Sequence, residues 1–236
     1  MTETAAAVFK RCRYKLIGTF QHWVKPLRSE YKLKNKISNR FVRKGAAVHF
    51  DLALRLYSLE SRTFMSHRLK ANYDAQIDER FHRLFKEHSD NIIMVERTRE
   101  FLEWRFDHEP SARFQIMTLE NREQDLLGYL VYVIGETGRD GDHAAGIHDF
   151  FYRDEKSFQQ LLAAFTQHCR RISMDTIVMN YFGRKEIANM LSRFGFFRRK
   201  SSTQVFVQHN PQFNDFQLEA LHDPNCWHLT NAELLV

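Results

Sequence analysis

Cysteine, proline and glycine are all scarce in this chain of 236 residues. Three cysteines, Cys12, Cys169 and Cys226, are too few and too scattered for a disulfide framework or a metal knuckle. With 4 prolines and 9 glycines the chain is neither collagenous nor a Pro/Gly-rich disordered polymer. No stretch approaches the roughly 18 unbroken apolar residues of a membrane span. The N-terminus runs Met1-Thr-Glu-Thr-Ala-Ala-Ala and then Phe9-Lys-Arg without an apolar signal-peptide core. Also missing are a Gly-x-Ser-x-Gly elbow, a Walker loop and a Gly-x-Gly-x-x-Gly turn, so hydrolase, P-loop and Rossmann readings have no support. These absences lead us to expect a soluble, cytoplasmic globular protein.

What is present suffices for a substantial core: 43% of residues are hydrophobic and 14% aromatic. Charge is unevenly spread. Residues 1–70 hold 16 Lys and Arg against 4 Asp and Glu, a net of +12, whereas residues 71–236 hold 19 against 25. The formal charge of +6 therefore belongs to the N-terminal third, most densely between Arg28 and Lys44. Such a run reads as a solvated interdomain segment or as an arm for an acidic partner, nucleic acid or an anionic membrane face. No nucleic-acid motif accompanies it, so nucleic acid is not the expected partner.

Periodicity orders the rest. Residues 3–12 read as the end of a helix, Tyr14–Phe20 and Trp23–Lys25 as short strands closed by Pro26, and residues 46–60 as a helix. Between Asp74 and His88, Ile77, Phe81, Leu84 and Phe85 share one helical face. Ile92–Val95 is a short apolar run, and Thr98 looks like the N-cap of a helix that reaches toward Pro110. Strands are predicted at 113–119, 126–134 and 146–152, with a hairpin loop at 135–143. Phe158–Ile172 follows as an amphipathic helix, then a buried strand at 176–179, a helix at 184–194 ended by Gly195, and a strand at 205–207. This order predicts an α/β fold: a mixed, mostly antiparallel sheet with helices on both faces and a basic N-terminal appendage. The strand–helix–strand unit at 147–179 makes a parallel pair that would splay and leave a cleft.

Particular residues give that order a resemblance. Phe101-Leu-Glu-Trp-Arg-Phe-Asp-His-Glu-Pro110, Gly128-Tyr-Leu-Val, Ile147-His-Asp-Phe-Phe and Leu191-Ser-Arg-Phe-Gly-Phe-Phe resemble, as a set over residues 76–208, the GNAT superfamily of CoA-dependent N-acyltransferases. They are closest to a bacterial branch with two GNAT-like halves in one chain. Cys226-Trp-His-Leu-Thr-Asn-Ala-Glu233 resembles the tail of that branch and is expected to fold back on the sheet. An internal echo accompanies this: Phe9 lies over Leu191, Arg11 over Arg193 and Tyr14 over Phe196, with Arg13 in the place of Gly195. The organisation expected is therefore 1–26 as the tail of a preceding GNAT-like repeat, 27–73 as a basic linker and helical segment, 74–210 as the acyltransferase domain, and 211–236 as a tail packed on it.

The resemblance implies transfer of an acyl group, acetyl in the first instance, from acetyl-CoA or another acyl-CoA as co-substrate to a small-molecule amine, with an amino sugar as the acceptor suggested by the branch, and no metal. It implies cofactor contacts at Phe151, Tyr152, Arg153, Lys156, Asn180 and Arg184 and a proton-donating Tyr181. Asp149, followed by Phe150 and Phe151 in a strand that flanks the cleft, is the candidate general base. One departure is plain. The family grips the pyrophosphate with a glycine-rich loop at a helix start, and here that segment is Tyr152-Arg-Asp-Glu-Lys-Ser-Phe158, with no glycine and two carboxylates. The second reading is thus a degenerate half that serves as a binding or dimerisation module, as a homodimer or beside a missing GNAT-like half. Trp104 is expected to pack and Arg105 to reach an acidic acceptor or a core carboxylate. His143, His148 and Asp142 near Asp149 suggest a metal, but alternation puts His148 and Asp149 on opposite faces of the sheet, and we expect none.

Overall fold

A computed structural model describes residues 8–9, 11–33, 37–63, 69–107, 113–137, 143–208 and 212–234. Asp142, Pro110 and the tip of the 135–143 loop lie outside these residues, as do Met1–Ala7.

After the helical residues Val8, Phe9 and Arg11 the chain forms β1 (Lys15–Thr19), β2 (Gln21–Pro26), α1 (Glu30–Leu33) and α2 (Arg40–Tyr57). The last of these begins earlier than expected, because Asn39 caps it by accepting from the amides of Phe41 and Val42. Then come β3 (Lys70–Asn72), α3 (Glu79–His88), α4 (Arg99–Leu102) with a π-helical turn at Glu103–Asp107, β4 (Phe114–Glu120), β5 (Leu126–Thr137) and β6 (His143–Tyr152). The chain closes with α5 (Glu155–Arg171), β7 (Thr176–Gly183), α6 (Lys185–Arg193), β8 (Phe197–Arg199), β9 (Gln204–Val207), α7 (Asp215–His222) and β10 (His228–Leu229).

The main sheet runs β3-β4-β5-β6-β7-β2-β8, and β10 joins the end of β7. Every pairing is antiparallel except β6 with β7. This is the mixed, mostly antiparallel sheet expected from the element order. On one face α5 inserts Phe158, Leu161, Leu162, Phe165 and Cys169, all buried. On the other, Phe81 and Leu84 of α3 and Leu102 of α4 pack over Tyr129, Val131 and Phe151. At roughly 25 cal/mol per Å² of apolar area, burial on both faces is what holds the two layers to the sheet. The run at 91–95 forms no strand and meets the sheet through one parallel bridge, Ile93 to Trp227.

Two features come from pairing over long sequence separation. Strand β2 sits between β7 and β8, with Trp23 opposite Met179 on one side and Arg198 on the other. Strand β9 leaves this sheet and pairs with β1 instead, Lys15 opposite Val207 and Thr19 opposite Gln204.

Candidate functional site

β6 and β7 run side by side from Ala144 and Thr176 to Ile147 and Met179 and have no further pairing beyond that point. Where they part, the register between β5 and β6 shifts, so that Val131 faces Asp149 and Tyr132 faces Ile147, with His148 the extra residue. Such a bulge bends the strand and interrupts side-chain alternation. Asp149 reaches Tyr129, while the His148 ring stands edge-on against Phe114 at 5.0 Å. Both residues therefore turn toward the α3–α4 face, which corrects the expectation that they point to opposite faces. Among the described residues no group of three His, Cys, Asp or Glu could hold a metal ion.

The notch between the two strands is filled from within the chain. His228 and Leu229 pair antiparallel with Gly183 and Phe182 at the end of β7. On the β6 side, the buried His228 ring meets the Phe150 carbonyl through Nε2 at 3.0 Å. A carbonyl can only accept, so Nε2 carries the proton. The imidazole is wholly enclosed between Phe150 and Tyr181, and this desolvation pulls its pKa from the usual 6.5 down to about 4. Gly183 makes the approach possible. A β-carbon there would overlap the Trp227 carbonyl and stand 2.7 Å from the Tyr181 hydroxyl, and its φ of +147° favours glycine.

One step further along, the tail docks on charge. Asp149 is fully buried and accepts four hydrogen bonds: from Arg97 Nε at 3.0 Å and Nη2 at 2.9 Å, from the Tyr129 hydroxyl at 3.1 Å and from Thr230 Oγ1 at 2.8 Å. Arg97 Nη2 also binds Glu233 at 2.5 Å, and Nη1 the Val95 carbonyl. Burial works against the Arg97 charge, and the two carboxylates more than restore it, so the guanidinium stays protonated. Thr230 and Glu233 complete a reciprocal capping box around the final helical turn. Arg105 holds the same turn by donating to the carbonyls of Asn231, Ala232 and Leu234.

This corrects a role expected on the 101–110 helix. Trp104 is 62% exposed rather than packed, and the buried Arg105 donates to backbone carbonyls of the tail. The π-helical turn at 103–107 shifts the helix face that meets the core.

The other residues singled out by sequence fall around the notch in two groups. Tyr181 is buried beneath it, and its hydroxyl accepts from the Arg184 amide at 3.0 Å; burial raises its pKa far above the ordinary value. Asn180 links His22 at 2.9 Å to Asn231 at 3.0 Å. The Phe151 side chain belongs to the core under α3, and the half-buried Tyr152 stacks on Phe158 at 4.6 Å. Arg153 and Lys156 are exposed at the start of α5, away from the tail network. There Asp154 is the N-cap and accepts from the Ser157 amide at 2.8 Å. Partial burial alone would raise this carboxyl, but Ser157 and Arg153 hold it below the usual carboxylate range. The positive end of the α5 dipole is thus already met by a carboxylate of the chain.

Sequence reasoning did not find Arg97, Tyr129, Thr230, His228 or Glu233. The Thr230-Asn-Ala-Glu233 spacing is a capping-box signature and was the one local signal available.

No protein-family model matches this chain, and no curated protein matches it either. Solved structures do. A conserved protein of unknown function from Enterococcus faecalis, described as a probable N-acyltransferase, superposes with a TM-score of 0.53 at 10% identity over 85% of this chain and 42% of its own. A GCN5-related N-acetyltransferase from Anabaena variabilis gives 0.53 at 12% identity over 85% and 43%. A GCN5-related glucosamine N-acetyltransferase region of a fungal multi-domain β-N-acetylglucosaminidase gives 0.50 at 9% over 86% and 22%. The chain spans less than half the length of each. With the parting of β6 and β7, the helix between them and the order of the sheet, these superpositions establish that the chain has the GNAT-like fold of GCN5-related N-acetyltransferases.

Proposed function

We propose that this chain is a unit of an amine N-acyltransferase that does not itself bind the acyl donor, and that it serves as a binding or assembly module. The chemistry of the whole is transfer of an acyl group, in the first instance acetyl, from acyl-CoA to a small-molecule amine. An amino sugar is the acceptor class favoured by the sequence resemblance and by the glucosamine specificity named for the fungal neighbour. The observation that carries the reading is His228–Leu229 lying in the notch between β6 and β7. In this fold the notch is where a thioester would lie along the strand edge. The Asp154 cap adds to it, since a carboxylate at the helix start repels a diphosphate.

A second reading, catalysis by this chain itself, is favoured by what lies under the tail. The Phe150 carbonyl faces the notch, and in a strand the amide of the same residue points the same way. That N–H could stabilise the tetrahedral oxyanion once the tail withdrew, and the Tyr181 hydroxyl beneath the notch could protonate the leaving thiolate. Asp149 is poorly suited as the base, because four donors, two of them from a buried guanidinium, already occupy it. An ordered water would have to take the amine proton.

Titration calorimetry of the intact chain with acetyl-CoA, and with desulfo-CoA as the unreactive control, separates the two. The module reading expects no saturable heat at millimolar ligand. Micromolar binding that is lost in Asn180→Ala would overturn it in favour of the second. No helix among the described residues is long and apolar enough to cross a membrane.

A further inference from the structure

The sequence echo between the two ends of the chain has a structural counterpart with one constant offset of 182 residues. The Cys12 amide bonds the Val8 carbonyl at 3.0 Å, as Phe194 bonds Met190 at 2.9 Å. The Tyr14 amide bonds the Phe9 carbonyl at 3.0 Å, as Phe196 bonds Leu191 at 3.0 Å. Between them Arg13 has φ 62° where Gly195 has φ 80°, the same left-handed helix end, which an arginine adopts only at a cost. The same offset carries β1 onto β8 and β2 onto β9. It carries the inward residues too: Trp23 and Lys25 of β2 correspond to Val205 and Val207 of β9, and all four are buried.

The two units do not form hairpins of their own. Each first strand pairs with the second strand of the other unit: β1 with β9, and β8 with β2, both antiparallel. The two pairings differ by one residue of register at the start of β1, Leu16 facing Phe206 while Arg198 faces Trp23, and by two beyond the bulge between Leu16 and Gly18. This is an exchange about a local two-fold axis, and in one respect it is unbalanced. On its other edge β2 is held by β7 through six pairs, from Gln21–Tyr181 to Pro26–Thr176. On its other edge β9 has no strand among the described residues, where its sheet consists of β1 and β9.

We propose that the free edge of β9, Gln204–Val207, receives the strand equivalent to β7 from a second unit of GNAT-like fold, antiparallel, as β2 is received by β7. The two-fold exchange specifies the partner. It must present an unpaired strand that leads out of a helix, and lack a strand of its own at the β2 position. A second copy of this chain does not qualify while its β7 is filled by its own β2. The neighbours from Enterococcus and Anabaena, of which the chain spans 42% and 43%, have the length for such a second unit. An open strand edge gives affinity through main-chain hydrogen bonds, and the side chains of alternate residues give selectivity. The proposal does not rest on the module reading and would survive a positive acetyl-CoA titration.

The test is amide hydrogen exchange, read by NMR on the intact chain, with a synthetic peptide copying Thr176–Gly183 between lysines as the probe. In the free chain, alternate amides of Gln204–Val207 should exchange at least 100-fold faster than those facing β1. The peptide should slow these fast amides tenfold or more and leave Gln21–Pro26 unchanged, and a peptide N-methylated at alternate residues should not. Four slow amides at Gln204–Val207 in the free chain would overturn the proposal, as would full exchange at millimolar peptide. Slow amides that speed up on dilution would identify a second copy as the occupant and would equally overturn it.

Discussion

Arg97 and Asp149 meet in a two-pronged contact, Nε to Oδ2 at 3.0 Å and Nη2 to Oδ1 at 2.9 Å, and neither side chain reaches solvent. Removing one partner leaves the other charge buried without its counterion, which typically costs about 3–5 kcal/mol. Arg97→Met should therefore lower the unfolding free energy by that order, since it strands both Asp149 and Glu233. The double variant Arg97→Met, Asp149→Leu should recover part of the loss. Urea denaturation checks both, and equal stability of Arg97→Met and the native chain would show that water replaces the pair.

His228 gives the tail a pH dependence. Its pKa is about 4 in the folded chain, because desolvation disfavours the charged ring, against 6.5 when unfolded. Between these values the unfolded chain binds a proton that the folded chain does not. Stability is therefore full above pH 6.5 and is lost as pH falls toward 4, by about 3 kcal/mol from this group. Burial raises the Glu233 carboxyl, which acts in the opposite sense. Comparing the native chain with His228→Gln, whose amide can still donate to Phe150, isolates the histidine. The difference between the two stability curves should change across pH 4–6.5 and be flat above it.

Gly183 is the position where the tail is most sensitive to a single methyl group. Gly183→Ala sets a β-carbon against the Trp227 carbonyl and adds strain at φ +147°. We expect release of residues 227–234, seen as rapid trypsin cleavage at Arg97 or Arg105 once their partners leave, with a loss of roughly 2 kcal/mol or more. A variant cleaved no faster than the native chain would mean that the strand edge accommodates the methyl.

Asp154→Ala removes the cap of α5 and should cost about 1 kcal/mol in thermal unfolding. It also bares the positive end of the helix beside Arg153 and Lys156. If the carboxylate is what bars a diphosphate from this helix start, the variant should bind pyrophosphate measurably better than the native chain. No gain would place the obstruction in the tail alone.

The elements legible from sequence were those whose pattern is local. Phe158, Leu161, Leu162 and Phe165 lie at helical spacing and gave α5, and Leu126–Ile134 gave most of β5. The position of β2 was not legible, because its neighbours β7 and β8 lie over 150 residues away and no local rule selects them. The three-residue strands β3 and β8 and the two-residue β10 are too short to show alternation. Of the site, Asp149 stood out because Phe150 and Phe151 follow it in a strand. Its partner Arg97 lies among Glu96, Thr98 and Arg99, where a buried arginine resembles any surface charge. The exposure of Trp104 was missed for a comparable reason: helical periodicity assumes 3.6 residues per turn, and the π-helical turn breaks it.

The placement of β2 also bears on how the chain is made. A ribosome releases β2 long before either strand that flanks it, since both come after residue 175, and the segment that closes β7 follows later still. During synthesis Trp23 and Val24 must wait, unpaired, until β7 and β8 have emerged, and the end of β7 stays open until His228 and Leu229 follow. Long-range closure of this kind slows folding and lengthens the interval in which an unpaired strand can meet a wrong neighbour. Production of this protein should accordingly depend more on growth temperature and chaperone supply than its final stability would suggest.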